Sequence, residues 1–559
     1  MMRRMLGRRR PKVREIAPDE IFLDSSNLPD FNQGRLEGRL ERPVSRTTYV
    51  GILSIMAFAF VGLMAQAANL QIREGEKYAL QSERNRVRPE VLFAKRGAVV
   101  DRNGVALVTN EARDDGSAMR VYEAPGFAHL LGYVSYPKKD SSGNYYDTEI
   151  TGLAGVESAF NEQLGGKNGT LLIEENALGE VQSSGSVAAA KDGATVTLSI
   201  DARAQRAFAA SVAELVERVP FVGGSAILMD VETGELHALV SYPEYNPNVL
   251  SSGGPSDVIA AYQSDSRQPY LDRAIAGLYA PGSVVKPMEA AGALSDGIIS
   301  PDKIIVSTGA LVVPNPYDPS KPTVFKDWKA LGAMNMRSAI AYSSDVYFYT
   351  VGGGFGDQKG LGIERLAHWF HSFGFDTPTG IELEGETKGF IPTPAWKEKT
   401  YDEPWRIGNT YHTAIGQYSM QTTPIEVARA VAAVANGGKL VTPTLLKSSM
   451  TPAGQTIPIS AYALQVAREG MRMGVIEGTS VGLSDLSFAR LAGKTGTAQL
   501  GANNEYHHAW AVGFFPYEKP KYVYVVLMEK GPSTNLIGGI YATHRALSAL
   551  HQTAPEYFD

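Results

Sequence analysis

The fold is decided by one stretch of the chain, residues 225–241, which reads SAILMDVETGELHALVS. Two apolar runs, Ser225 to Asp230 and Glu235 to Ser241, flank the tripeptide Glu232-Thr233-Gly234. A glycine-containing turn between two such runs is typical of a β-hairpin. The stretch therefore predicts two antiparallel strands joined by a tight turn.

Strands are predicted again near the far end of the chain, over 490–499, 508–515 and 522–529. Helical patterns fill the middle and include 282–294, 336–352 and 423–436. Strands at both ends of a domain with helices between them predict an α+β fold, in which one antiparallel sheet is built from both ends. Such a sheet brings residues that are far apart in sequence to one site.

A motif for nucleophilic catalysis, Ser283-Val284-Val285-Lys286, lies between these strands. A serine hydroxyl needs a positioned base, and a lysine three residues later on a helix lies on the same side. Pro281-Gly282 before the motif and helix formers after it predict a turn that delivers Ser283 to the first turn of a helix. Ser-x-x-Lys is weak alone: it also occurs at Ser135/Lys138 and Ser300/Lys303, where it is interpreted as accidental.

Two further motifs supply partners for this serine: Ser343-Ser344-Asp345 and Lys494-Thr495-Gly496. A lysine has a reference pKa of about 10.4, so Lys286 can act as a base only if it is desolvated or lies near another cation. Lys494 is a candidate for that cation. A hydroxyl both donates and accepts, so Ser343 can relay protons between the lysines and an amine.

The segment around Lys494, residues 489–498, is predicted to form a strand with small residues at its centre. Period-2 geometry places Thr495 and Thr497 on one face, while Gly496 allows a substrate backbone to come close. Threonine and lysine side chains suit the carboxylate of a peptide C-terminus. The motifs together, in this order, predict a serine acyl-transferase that uses lysine instead of histidine.

The motif set resembles that of the penicillin-binding proteins, S-x-x-K, S-D-N and K-T-G. The resemblance runs from about residue 70 to about residue 550 and includes Arg96 to Gly104 and Leu198 to Gln205. Within the family the chain is most similar to class B enzymes of the penicillin-binding protein 2 type, through 379–386 and through Asp345 followed by Tyr347-Phe348-Tyr349. Most relatives have asparagine where this chain has Asp345, and an ionised carboxylate there raises a neighbouring lysine pKa.

The resemblance implies a serine transpeptidase fold, with an antiparallel five-stranded sheet and helices, behind a β-rich pedestal. It also implies a D,D-transpeptidase in which Ser283 attacks the penultimate D-alanine carbonyl of a peptidoglycan stem. The implied catalytic residues are Ser283, Lys286 as base, Ser343 and Lys494 as proton relay and electrostatic support, and Asp345. The implied substrate-binding residues are Thr495, Gly496 and Thr497, with an oxyanion hole formed by the main-chain N–H groups of Ser283 and Thr497.

The partners that the resemblance implies are peptidoglycan stem peptides, β-lactam antibiotics, the bacterial inner membrane and a membrane glycosyltransferase of the shape-elongation-division-sporulation family. The implied role is cell-wall elongation, without a cofactor. Three alternatives stay open: a division-type class B transpeptidase, a β-lactam sensor or β-lactamase, and a non-enzymatic activator of the glycosyltransferase as an additional role.

An uncharged segment over 47–72 predicts one transmembrane helix, because about 20 apolar residues span a bilayer. The first 14 residues carry seven Lys or Arg and no acid, which favours a cytoplasmic N-terminus. Basic residues also follow the segment, so the placement of the catalytic domain outside the cell rests on the family resemblance. The protein is thus expected to be a single-pass protein of the inner membrane.

Four regions are expected: a basic, disordered tail over 1–46, the membrane helix over 47–72, a pedestal over 73–218 and a transpeptidase domain over 219–559. Only Glu111 to Met119 stand where relatives place a larger head subdomain, so the pedestal is expected to be shortened. The net charge of −6 does not suggest nucleic-acid binding, and the absence of cysteine excludes disulfides. No metal-ligand pattern emerges from the sequence.

Overall fold

The structure is a computed structural model that describes residues 44–113, 117–175, 181–315, 317–447 and 454–559. The disordered tail predicted over 1–46 lies outside these ranges, apart from residues 44–46. The chain divides into two compact units, Met1–Val87 and Arg88–Asp559.

The first unit contains the predicted membrane helix. Helix α1 (Arg46–Ala68) is capped by Ser45, whose hydroxyl accepts the N–H of Thr48. A serine at the N-cap position satisfies an N–H donor that has no partner within the helix. A π-helical turn (Asn69–Arg73) and helix α2 (Gly75–Arg86) follow. The segment Arg46–Arg73 has 28 residues, and an 18-residue stretch within it has a mean hydropathy of 2.0, so it is long and apolar enough to cross a membrane.

The second unit begins with a region of short strands and helices. Its helices are α3 (Ala128–Leu131), α4 (Gly155–Ala159) and α5 (Asn161–Gly165). Its strands are β1 (Val87–Leu92), β2 (Val99–Val100), β3 (Ala106–Ala112), β4 (Ala118–Tyr122), β5 (Val134–Ser135), β6 (Lys138–Lys139), β7 (Tyr145–Asp147), β8 (Thr151–Gly152), β9 (Gly169–Glu175), β10 (Val181–Ala188) and β11 (Val196–Thr197). They form sheets in the orders β1-β9-β10, β11-β2-β3-β4, β5-β8 and β6-β7. At the position where the resemblance places a larger head subdomain in relatives, β3 of this chain pairs directly with β4, and Ala112 lies opposite Ala118.

The helices of the remaining chain are α6 (Ala202–Arg218), α7 (Pro247–Ser252), α8 (Ser256–Ser264), α9 (Lys286–Ser295), α10 (Met336–Ala341), α11 (Asp345–Gly353), α12 (Gly362–Ser372), α13 (Pro394–Tyr401), α14 (Ile407–Ala414), α15 (Pro424–Ala435), α16 (Ala461–Ile476) and α17 (Gly539–Thr553). The strands are β12 (Gly223–Asp230), β13 (Leu236–Tyr242), β14 (Ile305–Ser307), β15 (Ala310–Val313), β16 (Thr323–Lys326), β17 (Gly332–Met334), β18 (Lys439–Leu440), β19 (Gln455–Thr456), β20 (Ala492–Leu500), β21 (Tyr506–Phe515) and β22 (Tyr522–Pro532).

The predicted sheet from both ends of the domain is confirmed. Its strand order is β13-β12-β22-β21-β20, and every neighbouring pair is antiparallel. Both faces are covered: Ile227 and Val525 belong to a core shared with α9, α15 and α16, while Leu228 and Val526 belong to a core shared with α6 and α17. Successive strand residues alternate between these cores, as the pleat requires.

One helix prediction was wrong. The pattern over 336–352 predicted a single helix, but the chain forms α10 and α11 with a break at Tyr342, Ser343 and Ser344. Ser343 adopts φ +60°, a left-handed conformation that no continuous α-helix contains. The apolar periodicity runs through this break, which is why the pattern conceals it.

The segment Arg96–Gly104 links the region of short strands to α6, which packs on the five-stranded sheet. The Asp101 carboxylate accepts the N–H of Ala202, the first residue of α6, at 3.0 Å. The Arg102 guanidinium donates to the Ser199 carbonyl at 3.0 Å. Behind these contacts lies a buried ion cluster in which Arg96 (2.5 Å) and Arg120 (2.6 Å) bind opposite oxygens of Glu157, all with 0% side-chain exposure.

We predict that Glu157→Gln lowers the free energy of unfolding by about 3–5 kcal/mol, because it leaves two buried guanidinium charges without a compensating carboxylate. Denaturant unfolding of the detergent-solubilised full chain measures this loss. The matched control is Glu162→Gln on α5, where the side chain is exposed. Equal stability of the two variants would contradict the prediction.

Candidate active site

Ser283 lies on a short turn that the surrounding backbone holds in place. Residues Gly282–Val285 form a 3₁₀ turn, the nucleophile turn, which runs into α9 at Lys286. Gly282 has φ +56°, a conformation that glycine adopts without a steric penalty. Its N–H donates to the Gly416 carbonyl at 2.8 Å. The helix predicted from residue 282 therefore begins as a tighter turn, in which residues three apart are eclipsed.

Lys286 is fully buried behind this turn. Its ammonium donates to the Ser343 carbonyl at 2.9 Å, the Ser343 hydroxyl at 3.3 Å and the Asp345 carboxylate at 2.6 Å. Within the described ranges, the partly exposed Ser283 hydroxyl makes no hydrogen bond. The candidate nucleophile is thus unbonded, while its neighbouring lysine is anchored to the middle motif, Ser343–Asp345.

The break between α10 and α11 is what presents the middle motif. A non-glycine residue at positive φ is strained and persists where its surroundings fix it. The left-handed Ser343 directs both its carbonyl and its hydroxyl to buried ammonium groups. Ser344 then caps α11, because its hydroxyl accepts the N–H of Tyr347 at 3.3 Å.

Lys494 reaches the same serine from the sheet. Its ammonium, in a residue that is 1% exposed, donates to the Ser343 hydroxyl at 2.8 Å and to the Thr495 carbonyl at 2.8 Å. Burial, and then the positive charge of Lys286, hold the pKa of Lys494 well below its ordinary value of 10.5, while Asp345 acts in the opposite direction. Lys494 is therefore the member of the lysine pair (Lys286 and Lys494) that burial favours as a free amine.

The edge strand β20 passes beside the nucleophile turn. A Cβ on Gly496 would lie 2.8 Å from the Pro281 carbonyl and from the Val284 side chain. The structure thus gives this glycine a reason that the sequence did not indicate: it lets the nucleophile turn approach the strand. Its predicted contact with substrate stays a prediction. Thr497 is exposed, and Thr495 lies partly exposed on the same face.

Thr479 is a site residue that the sequence reasoning missed. Its hydroxyl lies 2.7 Å from the Thr495 hydroxyl, which donates to it, so it orients a predicted substrate-binding side chain. Thr479 stands in the loop after α16, and no motif singles it out. The two other Ser-x-x-Lys copies lie apart from helices: Ser135 belongs to β5, and Ser300 is an exposed turn residue before β14.

An open groove of about 510 Å³ lies at the end of β20. It includes Leu278 and Ala280, which precede the nucleophile turn, and Leu500, which ends the strand. Its other wall is aromatic, formed by Phe390, Trp396 and Tyr418. No group of three or more His, Cys, Asp or Glu side chains that could hold a metal ion occurs among the residues that the structure describes.

Glu289 is a buried carboxyl one helical turn beyond Lys286 on α9. Neither of its oxygens has a hydrogen-bond partner. Burial raises the pKa of Glu289 well above its ordinary value of 4.5, and the charge of Lys286 only partly opposes this. Burial therefore favours the protonated form of this side chain in the folded protein.

Comparisons with known proteins agree on one family. The description "Penicillin binding protein transpeptidase domain" matches residues 224–546, and "Penicillin-binding Protein dimerisation domain" matches residues 115–198. The peptidoglycan D,D-transpeptidase MrdA of Haemophilus influenzae is 33% identical over 448 residues, which are 73% of this chain and 66% of that relative.

Solved structures show the same likeness. The complex between penicillin-binding protein PBP2 and MreC from Helicobacter pylori has a chain with a TM-score of 0.69 and 28% identity, covering 84% of this chain and 99% of that one. A structure of a peptidoglycan synthase complex, on the coordination of polymerization and crosslinking, gives a TM-score of 0.70 and 25% identity, covering 91% of this chain and 98% of that one.

We predict that Glu289→Gln changes how stability depends on pH. A carboxyl whose pKa is raised in the folded state lowers the free energy of unfolding as pH rises. The loss is about 1.4 kcal/mol per pH unit between the unfolded-state pKa and the folded-state pKa. The variant lacks this loss, so its stability relative to the wild type grows as pH rises from the unfolded-state pKa to the folded-state pKa of Glu289. Denaturant unfolding at several pH values measures it. The exposed Glu364→Gln serves as control, and parallel pH curves for Glu289→Gln and the wild type would disprove the prediction.

Proposed function

Because this chain belongs to the penicillin-binding protein transpeptidase family, we propose that it is a membrane-anchored peptidoglycan D,D-transpeptidase. The resemblance drawn from the motifs is confirmed by the family match. One observation carries the proposal: an unbonded Ser283 hydroxyl stands on a turn beside two buried lysines that share the Ser343 hydroxyl. This arrangement can activate a serine without histidine.

In the acylation step, the Ser283 oxygen attacks the penultimate D-alanine carbonyl of a stem peptide. Its proton passes to the neutral amine of the lysine pair, and the bond to the terminal D-alanine nitrogen breaks as that nitrogen takes up a proton. Lys286 is the proposed base, because it directly follows the nucleophile turn and stands three residues after Ser283 at the start of α9. The products are an acyl-enzyme on Ser283 and free D-alanine.

The lysine pair exchanges its proton through Ser343. Both ammonium groups donate to this hydroxyl, and a hydroxyl can accept one proton while it gives up its own. Lys494 can thus take the charge when Lys286 must be neutral, so the two lysines and Ser343 form one proton-transfer unit. In the second step, an amine of a neighbouring stem attacks the acyl-enzyme and gives its proton to this unit. The ester bond to Ser283 breaks as the serine oxygen takes a proton back from the same unit, and the new amide bond is the cross-link.

The donor stem is proposed to lie antiparallel to β20, which is the edge strand of the sheet and can accept a further strand. Its terminal carboxylate then lies near Thr495 and Thr497, and Gly496 lies beneath its backbone. The N–H groups of Ser283 and Thr497 form the proposed oxyanion hole. Residues upstream of the reacting carbonyl reach Leu500 and the aromatic groove.

The cellular setting is proposed from the relatives and the apolar helix. The helix Arg46–Arg73 anchors the protein in the inner membrane, with the N-terminus in the cytoplasm and the catalytic region outside. Elongation is the proposed role, since the curated relative is MrdA and the similar structures include a PBP2–MreC complex and a peptidoglycan synthase complex. A membrane glycosyltransferase is the proposed partner, and β-lactams are proposed to acylate Ser283.

We predict that Ser283→Ala abolishes covalent labelling of the full chain by a fluorescent penicillin, because the acyl bond forms on this oxygen. The matched control is Ser300→Ala, which removes the serine of another Ser-x-x-Lys copy and should label like the wild type. Gel fluorescence measures both. Undiminished labelling of Ser283→Ala would overturn the assignment of the nucleophile, and rapid loss of the wild-type adduct would identify a hydrolysing β-lactamase instead.

A further inference from the structure

Asp327 is a nearly buried carboxylate, 8% exposed, in the loop that follows β16. One of its oxygens accepts the hydroxyls of Ser307 and Ser344, each at 2.9 Å, and the N–H of Val346 at 3.1 Å. The other oxygen accepts the N–H of Asp345 at 3.1 Å and that of Trp328 at 2.9 Å. None of these donors is a charged side chain, so the carboxylate serves to orient neutral groups.

Three of these donors belong to the start of α11. The first N–H groups of a helix have no partner within the helix, and a negative charge near them is favourable. Asp327 takes two of these groups and also binds the hydroxyl of Ser344, the capping residue. The carboxylate therefore fixes both the direction of α11 and the orientation of its cap.

The contacts between Asp327 and the start of α11, here called the clamp, lie next to the strained residue of the site. Ser343, with φ +60°, directly precedes the cap that Asp327 holds. A residue in this conformation stays there only where neighbouring contacts determine it. Asp327 makes no hydrogen bond to either member of the lysine pair, yet it holds the segment whose Ser343 and Asp345 side chains bind them.

Asp327 also binds a residue of the segment that lies between α9 and α10, here called the insertion. This insertion, residues 305–334, consists of the sheets β14-β17 and β15-β16. Ser307, at the end of β14, donates to Asp327, and Asp327 stands between β16 and β17 in the chain. The insertion thus supplies both the carboxylate and a hydroxyl that orients it.

We propose that Asp327 is a positioning residue for the reaction: from the insertion it clamps the start of α11 and so places the Ser343 hydroxyl between Lys286 and Lys494. This inference rests on the proposed function, since it concerns how the lysine pair is connected. A merely structural clamp would affect the amount of folded protein. A positioning clamp also affects the rate of acylation and its dependence on pH.

The test is Asp327→Asn in the full chain. Both carboxylate oxygens of Asp327 accept hydrogen bonds, so the amide group of the variant places an N–H donor where an acceptor is needed. We expect the second-order rate constant for acylation by a fluorescent penicillin to fall about 10–100-fold, as when hydrogen bonds to a charged group are lost. We also expect the acid limb of its pH profile to move, because the exchange between the lysines is disturbed. The matched control is Asp318→Asn, a change of a partly exposed carboxylate in the loop between β15 and β16.

A second variant keeps the proposal testable if Asp327→Asn does not fold. Ser307→Ala removes one orienting donor and leaves the carboxylate on α11, and we expect a fall in acylation rate of about fivefold, the loss of one modest hydrogen bond, with a shifted acid limb. Wild-type rate and pH profile in a folded Asp327→Asn, or in Ser307→Ala if the former is unfolded, overturn the proposal. Failure of the wild type to be labelled at Ser283 is a different result, which refutes the proposed function itself.

Discussion

The site depends on the burial of two lysine side chains, Lys286 and Lys494, which share the Ser343 hydroxyl. One of them, Lys286, is paired with a carboxylate. Burying two like charges is unfavourable, and the two lysines differ in how their charge is compensated. Lys286 lies 2.6 Å from Asp345, whereas among the described residues the Lys494 amine donates to the Ser343 hydroxyl and the Thr495 carbonyl and to no carboxylate. Burial and the charge of Lys286 therefore lower the pKa of Lys494, and the pair holds a free amine that a serine nucleophile can use.

The fold serves this constraint by joining distant segments. The sheet combines strands from both ends of the domain, and its last strand, β20, carries Lys494 along the nucleophile turn. Gly496 and Gly282 lack the side chains that would keep the two backbones apart. The middle motif enters from a third direction through the break between α10 and α11. A tight turn, an edge strand and an interrupted helix thus meet at Ser343.

The sequence predicted what is local and missed what depends on tertiary contacts. Residues 225–241 carry a hairpin signal, and the motif of Ser283 and Lys286 carries its own turn and helix signals, so both predictions agree with the structure. The break at Ser343 escaped because the apolar pattern continues from α10 into α11. Thr479 and Asp327 escaped for another reason: each acts through tertiary contacts, Thr479 with Thr495 and Asp327 with Ser307 and the start of α11, and neither stands in a motif. For Gly496, the need for glycine was predicted, but the structural reason, close approach of the nucleophile turn, was not.

The central claim is that the lysine pair holds a free amine at a pH below the ordinary lysine pKa, because Lys494 is buried without a carboxylate partner among the residues that the structure describes. The most direct measurement is the pH dependence of the second-order rate constant for acylation of Ser283 in the full, wild-type chain. We predict an acid limb well below the ordinary lysine pKa of 10.5, with a plateau that is reached before that pH. A rate that keeps rising until pH reaches that ordinary value would contradict it.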